Sequence, residues 1–260
     1  MSPQQLSVRK LKVETPHSRL QESIQLTFSK LSDLTQFSKK VGLTCNLNNS
    51  VIGTEDLAFF MPALKTWKTS IRAGGLISGT LNNFQINQLS LGIGTTTFLQ
   101  GQLAIQGLPA IKQTSFELSI SRSNLQWEDL RHLVSTQTKT DLAAGTALRY
   151  LRFNGKLSGG SSQLKLAGTW QTRLGSAETV AQINLLPQEP IQYNGKLQLK
   201  EFKVGELMGM PDLKDVSFSG NVSGKGWNEV DSKTHFIGEI STASYKGVIY
   251  KNVKIGRAHV

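Results

Sequence analysis

Few residues in this 260-residue sequence stand at spacings that could do chemistry. The histidines, His17, His132, His235 and His259, include no pair at metal-ligand spacing. The single cysteine, Cys45, rules out a cysteine zinc cluster and an internal disulfide. No Gly-x-Ser-x-Gly nucleophile turn occurs. The Gly-Lys pairs at 155–156, 195–196 and 224–225 are followed by Leu, Leu and Gly, where a phosphate-binding loop needs Ser or Thr. The closest carboxylate pairs, Glu55-Asp56 and Glu128-Asp129, fall in short stretches of helical period, where a helix N-terminus accounts for them. The residues read as a protein that is not an enzyme and that carries neither a cofactor nor a metal.

The positive signal is apolar. Alternation of apolar and polar residues, the mark of a half-buried strand, recurs along almost the whole chain. It places Leu89, Leu91 and Ile93 together, then Leu103 and Ile105, then Phe116, Leu118 and Ile120. Further along it does the same for Leu164 and Leu166, Ile183 and Leu185, and Leu197 and Leu199. Residues between them, such as Ser90, Gln102, Ala104, Glu117 and Ser119, are mostly polar. An apolar sheet face must be covered by a second layer. Either two sheets close on each other, or a curved sheet keeps its inner face for a ligand. A groove lined by these fourteen residues would suit acyl chains, which need no polar group to fix them.

The elements that must position this face follow from composition and period. Hydrophobic residues make up 38% and charged residues 18% of the chain, both below the usual share of a globular domain. Ser and Thr together number 47, so uncharged polar residues replace part of both the core and the ionic surface. This argues against disorder and against a helical bundle, and for a mainly β chain. The net charge of +11 comes from scattered Lys and Arg without interleaved stacking aromatics, which argues against nucleic acid. Short helix-period stretches interrupt the strands: Leu34/Phe37/Val41, Leu57/Phe60/Leu64 behind a Thr54 N-cap, Trp127/Leu130/Val134, and Val204/Leu207. They are expected to pack between sheet segments. A Gly-x-aliphatic-Ser-Gly pentamer recurs at Gly75–Gly79, Gly155–Gly159 and Gly220–Gly224, the trace of a modular repeat with unequal spacing.

The last six residues, Ile255-Gly256-Arg257-Ala258-His259-Val260, read back into codons as a widely used sequencing adapter that is followed by a stop. The expectation is that 255–260 are not native, that 1–254 are an interior segment of a longer protein, and that this tail frays or lies as an unsupported edge. No apolar leader opens the chain.

Several blocks, in order, resemble a family. Asp56-Leu57-Ala58-Phe59-Phe60-Met61-Pro62-Ala63-Leu64 is followed by Ile71-Arg72-Ala73-Gly74-Gly75-Leu76-Ile77-Ser78-Gly79-Thr80. Thr95-Thr96-Thr97-Phe98-Leu99-Gln100-Gly101 then precedes Gln106-Gly107-Leu108-Pro109-Ala110-Ile111-Lys112-Gln113-Thr114. These resemble the middle of TamB-type proteins of the Bacteroidetes, within the AsmA-like group. Tyr245-Lys246-Gly247-Val248-Ile249-Tyr250-Lys251-Asn252-Val253 is similar to a strand of that family, with Val248 where a Tyr would stand. The resemblance implies an elongated, taco-like β-groove in a periplasmic protein anchored in the inner membrane. It also implies roles in phospholipid transport between the membranes, in outer-membrane protein assembly, or in both. Phospholipid acyl chains and an outer-membrane barrel protein would be its partners. Two other architectures fit the alternation: a parallel β-helix of the adhesin or polysaccharide-active kind, and a β-sandwich binding module.

Overall fold

The computed structural model describes residues 4–58, 64, 67–131, 143–185, 189–226 and 233–259. Alternating residues build fourteen strands: β1 (Gln4–Glu14), β2 (Arg19–Phe28), β3 (Gly42–Gly53), β4 (Ser70–Thr80), β5 (Asn83–Ile93), β6 (Thr97–Gln106) and β7 (Ser115–Gln126). They continue with β8 (Tyr150–Gly160), β9 (Gln163–Thr172), β10 (Gly175–Asn184), β11 (Gln192–Lys203), β12 (Leu213–Lys225), β13 (Lys233–Tyr245) and β14 (Val248–His259). All belong to one open antiparallel sheet, in which spatial order is chain order from β1 to β14. The mainly β, unclosed sheet with a few short helices is the class that alternation predicts. Its strands are antiparallel where a parallel β-helix would have parallel ones. One sheet also stands where a sandwich would have two.

The chain divides into two compact units, one of Met1–Arg122 with Ser158–Ser161 and one of Ser123–Leu157 with Ser162–Val260. In the first, directly paired residues set the faces. One row runs Leu26–Leu43–Gly79–Phe84–Ile105, and the next runs Ile24–Cys45–Ile77–Ile86–Leu103. Ile86 and Leu89 are three residues apart, yet they pair with Leu103 and Gly101, which are two apart. A bulge absorbs the extra residue, and Gln88 takes φ 53 within it. The slip therefore keeps Leu89, Leu91 and Ile93 on the face of Phe84 and Ile86.

The second unit repeats the device. Leu199 and Phe202 pair with Phe218 and Val216, and Glu201 sits at φ 47 between them. The rows here are Leu166–Ala181–Gly195–Val222–Phe236 and Trp170–Ala177–Leu199–Phe218–Ile240–Val253.

The pentamer repeat falls on β4, β8 and β12, every fourth strand, and a short helix lies ahead of each. Those helices are Thr54–Leu57, Ala143–Leu148 and Val204–Met208. The repeat is thus a module of four strands.

The helical segments depart from expectation in two ways. Thr54 is fully buried but does not cap its helix, whose N-cap is Gly53. Its hydroxyl lies instead between the carbonyls of Trp67 and Thr69 and accepts the Thr69 N–H at 3.0 Å. The buried hydroxyl serves the backbone of the segment that leads into β4, and the cap is forgone. Leu34 and Phe37 are exposed, and of their helical stripe only Val41 is enclosed. The helix at Phe37–Lys40 is a single turn and presents too little surface to bury a stripe. Leu64 is buried, and Leu57, Trp127, Leu130, Val204 and Leu207 are half-buried, while Phe60 and Val134 lie outside the described residues. Residues 255–259 continue β14, an edge strand whose Val248, Ile249, Tyr250 and Val253 are exposed.

Candidate functional site

The fourteen apolar residues singled out by alternation occupy one face within each unit. In the first, Leu91 pairs with Leu99, and Leu103 and Ile105 pair with Ile86 and Phe84. Phe116, Leu118 and Ile120 alternate on β7, where a side chain on Gly101 would stand 3.1 Å from the Ile120 backbone. In the second unit, Leu164 pairs with Ile183 and Leu166 with Ala181. Leu197 and Leu199 face Thr179 and Ala177. Leu185 lies one residue past the end of β10, where its N–H donates to Ser162 O at 2.8 Å.

Burial distinguishes this face from a sealed core. Leu89 is 4% and Ile120 8% exposed, but the other twelve are only half-buried. The intervening Ser90, Gln102 and Glu117 are exposed, and Ala104 and Ser119 are half-buried. Two closed sheets would enclose their facing side chains as a dry layer about 10 Å thick. Here each apolar row keeps some access to solvent.

The four rows traced above carry no charged residue. Ser123 donates to Phe153 O at 2.9 Å and accepts the Phe153 N–H at 2.8 Å. Among the described residues, no buried side-chain polar atom lacks a partner. The same face also presents hydroxyls, among them Tyr193 and Thr234, which bond to each other at 2.5 Å in the row of Ile183, while its apolar side chains offer a ligand apolar contact. Each 100 Å² covered would contribute about 2.5 kcal/mol.

The alternation reading missed the glycines of the face. The Phe153 ring lies where side chains on Gly155 and Gly168 would go, and the Phe218 ring lies where those of Gly220 and Gly238 would go. Rings thus lie along the sheet over neighbouring strands. Phe153 meets Trp170 at 4.3 Å between centroids, and Phe218 meets Phe236 edge-on at 6.2 Å. The signal was present as aromatic-x-Gly at Phe153-Asn154-Gly155, Tyr193-Asn194-Gly195, Phe218-Ser219-Gly220 and Phe236-Ile237-Gly238.

A polar cluster joins the β1–β2 turn to the helix Thr54–Leu57. Thr15 and Ser18 both donate to Asp56, and Ser18 Oγ accepts the Gly53 N–H at 3.0 Å. The Ser18 hydrogen bond, then that of Thr15, holds the Asp56 carboxyl below its usual range. Ser18 thus ties the Asp56 carboxylate to the Gly53 N–H, and the cluster latches the turn to the helix. Among the described residues, no group of His, Cys, Asp and Glu could hold a metal ion, and no helix is long and apolar enough to cross a membrane. Comparison with protein-family models, with curated proteins and with solved structures gave no match.

Proposed function

We propose that the apolar face of each unit holds phospholipid acyl chains. On this reading the chain is a segment of a periplasmic, inner-membrane-anchored TamB/AsmA-like protein. Such a protein would move phospholipid between the inner and outer membranes, support outer-membrane protein assembly with a barrel partner, or do both. The observation that supports the reading is the half-buried state of twelve apolar side chains on a sheet that is open and, among the described residues, the one sheet formed. Acyl chains suit such a face because they are apolar along their length and slide without breaking a directed bond. The order of sequence blocks from Asp56 to Thr114 supports the family assignment, and the Tyr245–Val253 block adds to it.

A photo-crosslinking amino acid placed at Ile105, and separately at Glu117, tests the site in protein made in cells. Ile105 lies on the apolar face and Glu117 is exposed on the other. Lipid adducts at 105 with few at 117 are expected. Equal labelling at both positions, or none at 105, would overturn the proposal.

A further inference from the structure

The helical connection between β2 and β3 is inside out. A 3-10 segment, Leu31–Gln36, runs into the single α-turn Phe37–Lys40, and the residue this stretch buries is an acid, Asp33. Asp33 accepts the backbone N–H groups of Ser29 at 3.1 Å and Lys30 at 3.0 Å, and Lys40 stands 4.0 Å from it. The apolar residues are exposed instead: Leu31 by 68%, and Leu34 and Phe37 by 41% each. A 3-10 segment has three residues per turn, so Leu31 and Leu34 stand on one side of it, and Phe37 follows three residues on.

Strand register brings two more loops beside this stripe. Thr27, Gly42, Thr80, Asn83 and Gln106 form one row at a single end of the first unit. The β2–β3, β4–β5 and β6–β7 connections therefore all leave from that end. They are tied to one another. The Asn82 N–H donates to Ser38 O at 2.7 Å, the Gly107 N–H to Asn82 O at 2.8 Å, and the Asn82 side chain to Leu108 O at 3.0 Å. The third loop adds Ile111, 52% exposed, and the exposed Lys112. Residues 29–41, 81–82 and 107–114 together hold four lysines, Lys30, Lys39, Lys40 and Lys112, all exposed. Their single carboxylate is the enclosed Asp33.

We propose that this rim docks on an anionic membrane surface, with Leu31, Leu34, Phe37 and Ile111 among the headgroups and the lysines on lipid phosphates. An exposed apolar patch marks an interaction site, and the charge around it says which kind. Lysine is depleted where proteins meet proteins. Leucine and phenylalanine flanked by lysine are what an interfacial segment uses to enter a negatively charged bilayer surface. There the apolar side chains leave water while the ammonium groups stay at headgroup level. The row Leu26–Leu43–Gly79–Phe84–Ile105 is the next one in from the rim, so a membrane seated there lies at the end of the apolar face. The docking needs no lipid on that face, and the crosslink at Ile105 tests the face separately.

Flotation of the whole 260-residue chain at physiological salt, with vesicles of mixed phosphatidylglycerol and phosphatidylcholine or of phosphatidylcholine alone, reads the docking. The variants are the pairs Leu31→Ser/Phe37→Ser and Lys39→Gln/Lys112→Gln, all at exposed positions. The control is Val180→Ser/Lys196→Gln, an exposed apolar residue and an exposed cation that pair in the second unit. Circular dichroism confirms that each variant is folded. Binding to the mixed vesicles is expected, at least tenfold weaker on phosphatidylcholine alone. Each rim pair should weaken it tenfold or more, and the control should leave it unchanged. No binding, equal binding to both vesicles, rim variants that bind like wild type, or an equal loss in the control would overturn the proposal. So would self-association in sedimentation velocity that Leu31→Ser/Phe37→Ser abolishes without any vesicle binding, which would give the stripe to a second copy of the chain.

Discussion

Replacing Ile105 by Asp asks whether the apolar face is open. Ile105 is half-buried at the end of the row Leu26–Leu43–Gly79–Phe84–Ile105. Fully burying an isoleucine side chain contributes about 1.5–3 kcal/mol, so losing a partly buried one costs about 2 kcal/mol. The new carboxylate keeps its water on the open side and adds little more. Leu89 lies on the same face but is 4% exposed. Leu89→Asp loses the leucine's transfer energy and leaves a cavity, about 3–5 kcal/mol. It also encloses a polar group, at about 1–3 kcal/mol more. The two variants should thus differ by roughly 2–6 kcal/mol in urea unfolding. Ile105→Asp should lower the melting temperature by about 4–8 °C, whereas Leu89→Asp should not fold stably. If Ile105→Asp unfolds the protein as completely as Leu89→Asp, the face is sealed and the argument from half-burial fails.

Three further outcomes follow from the same geometry. Thr54→Val keeps the shape but removes the hydroxyl's bonds to the Trp67 and Thr69 backbone, which retains its own backbone partners, and should cost about 1 kcal/mol in chemical denaturation, with Thr54→Ser milder. Gly220→Val would put a methyl-bearing carbon 2.4 Å from Ile237 O and 2.7 Å from the Phe218 ring, so a loss of about 1–3 kcal/mol is expected; an unchanged melting curve would mean the ring does not lie there. Asp56 titrates below its usual range in the folded chain, so its contribution is present above the unfolded value of about 3.9 and is lost as pH falls through the lower folded value. Acid unfolding curves should therefore run parallel for wild type and Asp56→Asn above about pH 5 and converge in more acidic solution; curves that never converge would remove the latch.

Strands were legible because each shows one face to solvent and one to apolar neighbours, and that contrast survives in a single sequence. The bulges were harder to read. Phe84/Ile86 and Leu89/Leu91/Ile93 look like two runs out of phase, and only pairing with Leu103 and Gly101 reveals one strand with a spare residue at Gln88. Thr54 misled because the cap pattern is local, whereas its hydroxyl answers carbonyls thirteen and fifteen residues away. The pentamer repeat looked irregular because residues were counted instead of strands. The connection before β8 spans 127–149 and that before β12 only 204–212, which accounts for most of the unequal spacing. The rim of Leu31, Phe37 and Ile111 could not be read at all from sequence, since its loops share one end only once the strand registers are set.

A sheet whose spatial order is its chain order never asks a strand to wait for a distant partner. Each new strand closes on the one made just before it, and even across the longest connection, 127–149, loop-closure entropy grows only slowly with length. Such a chain can acquire structure in the direction in which it is delivered, whether from a ribosome or through a membrane pore. The growing edge is then always the youngest strand. What has already emerged is finished, and what has not yet emerged is not missed.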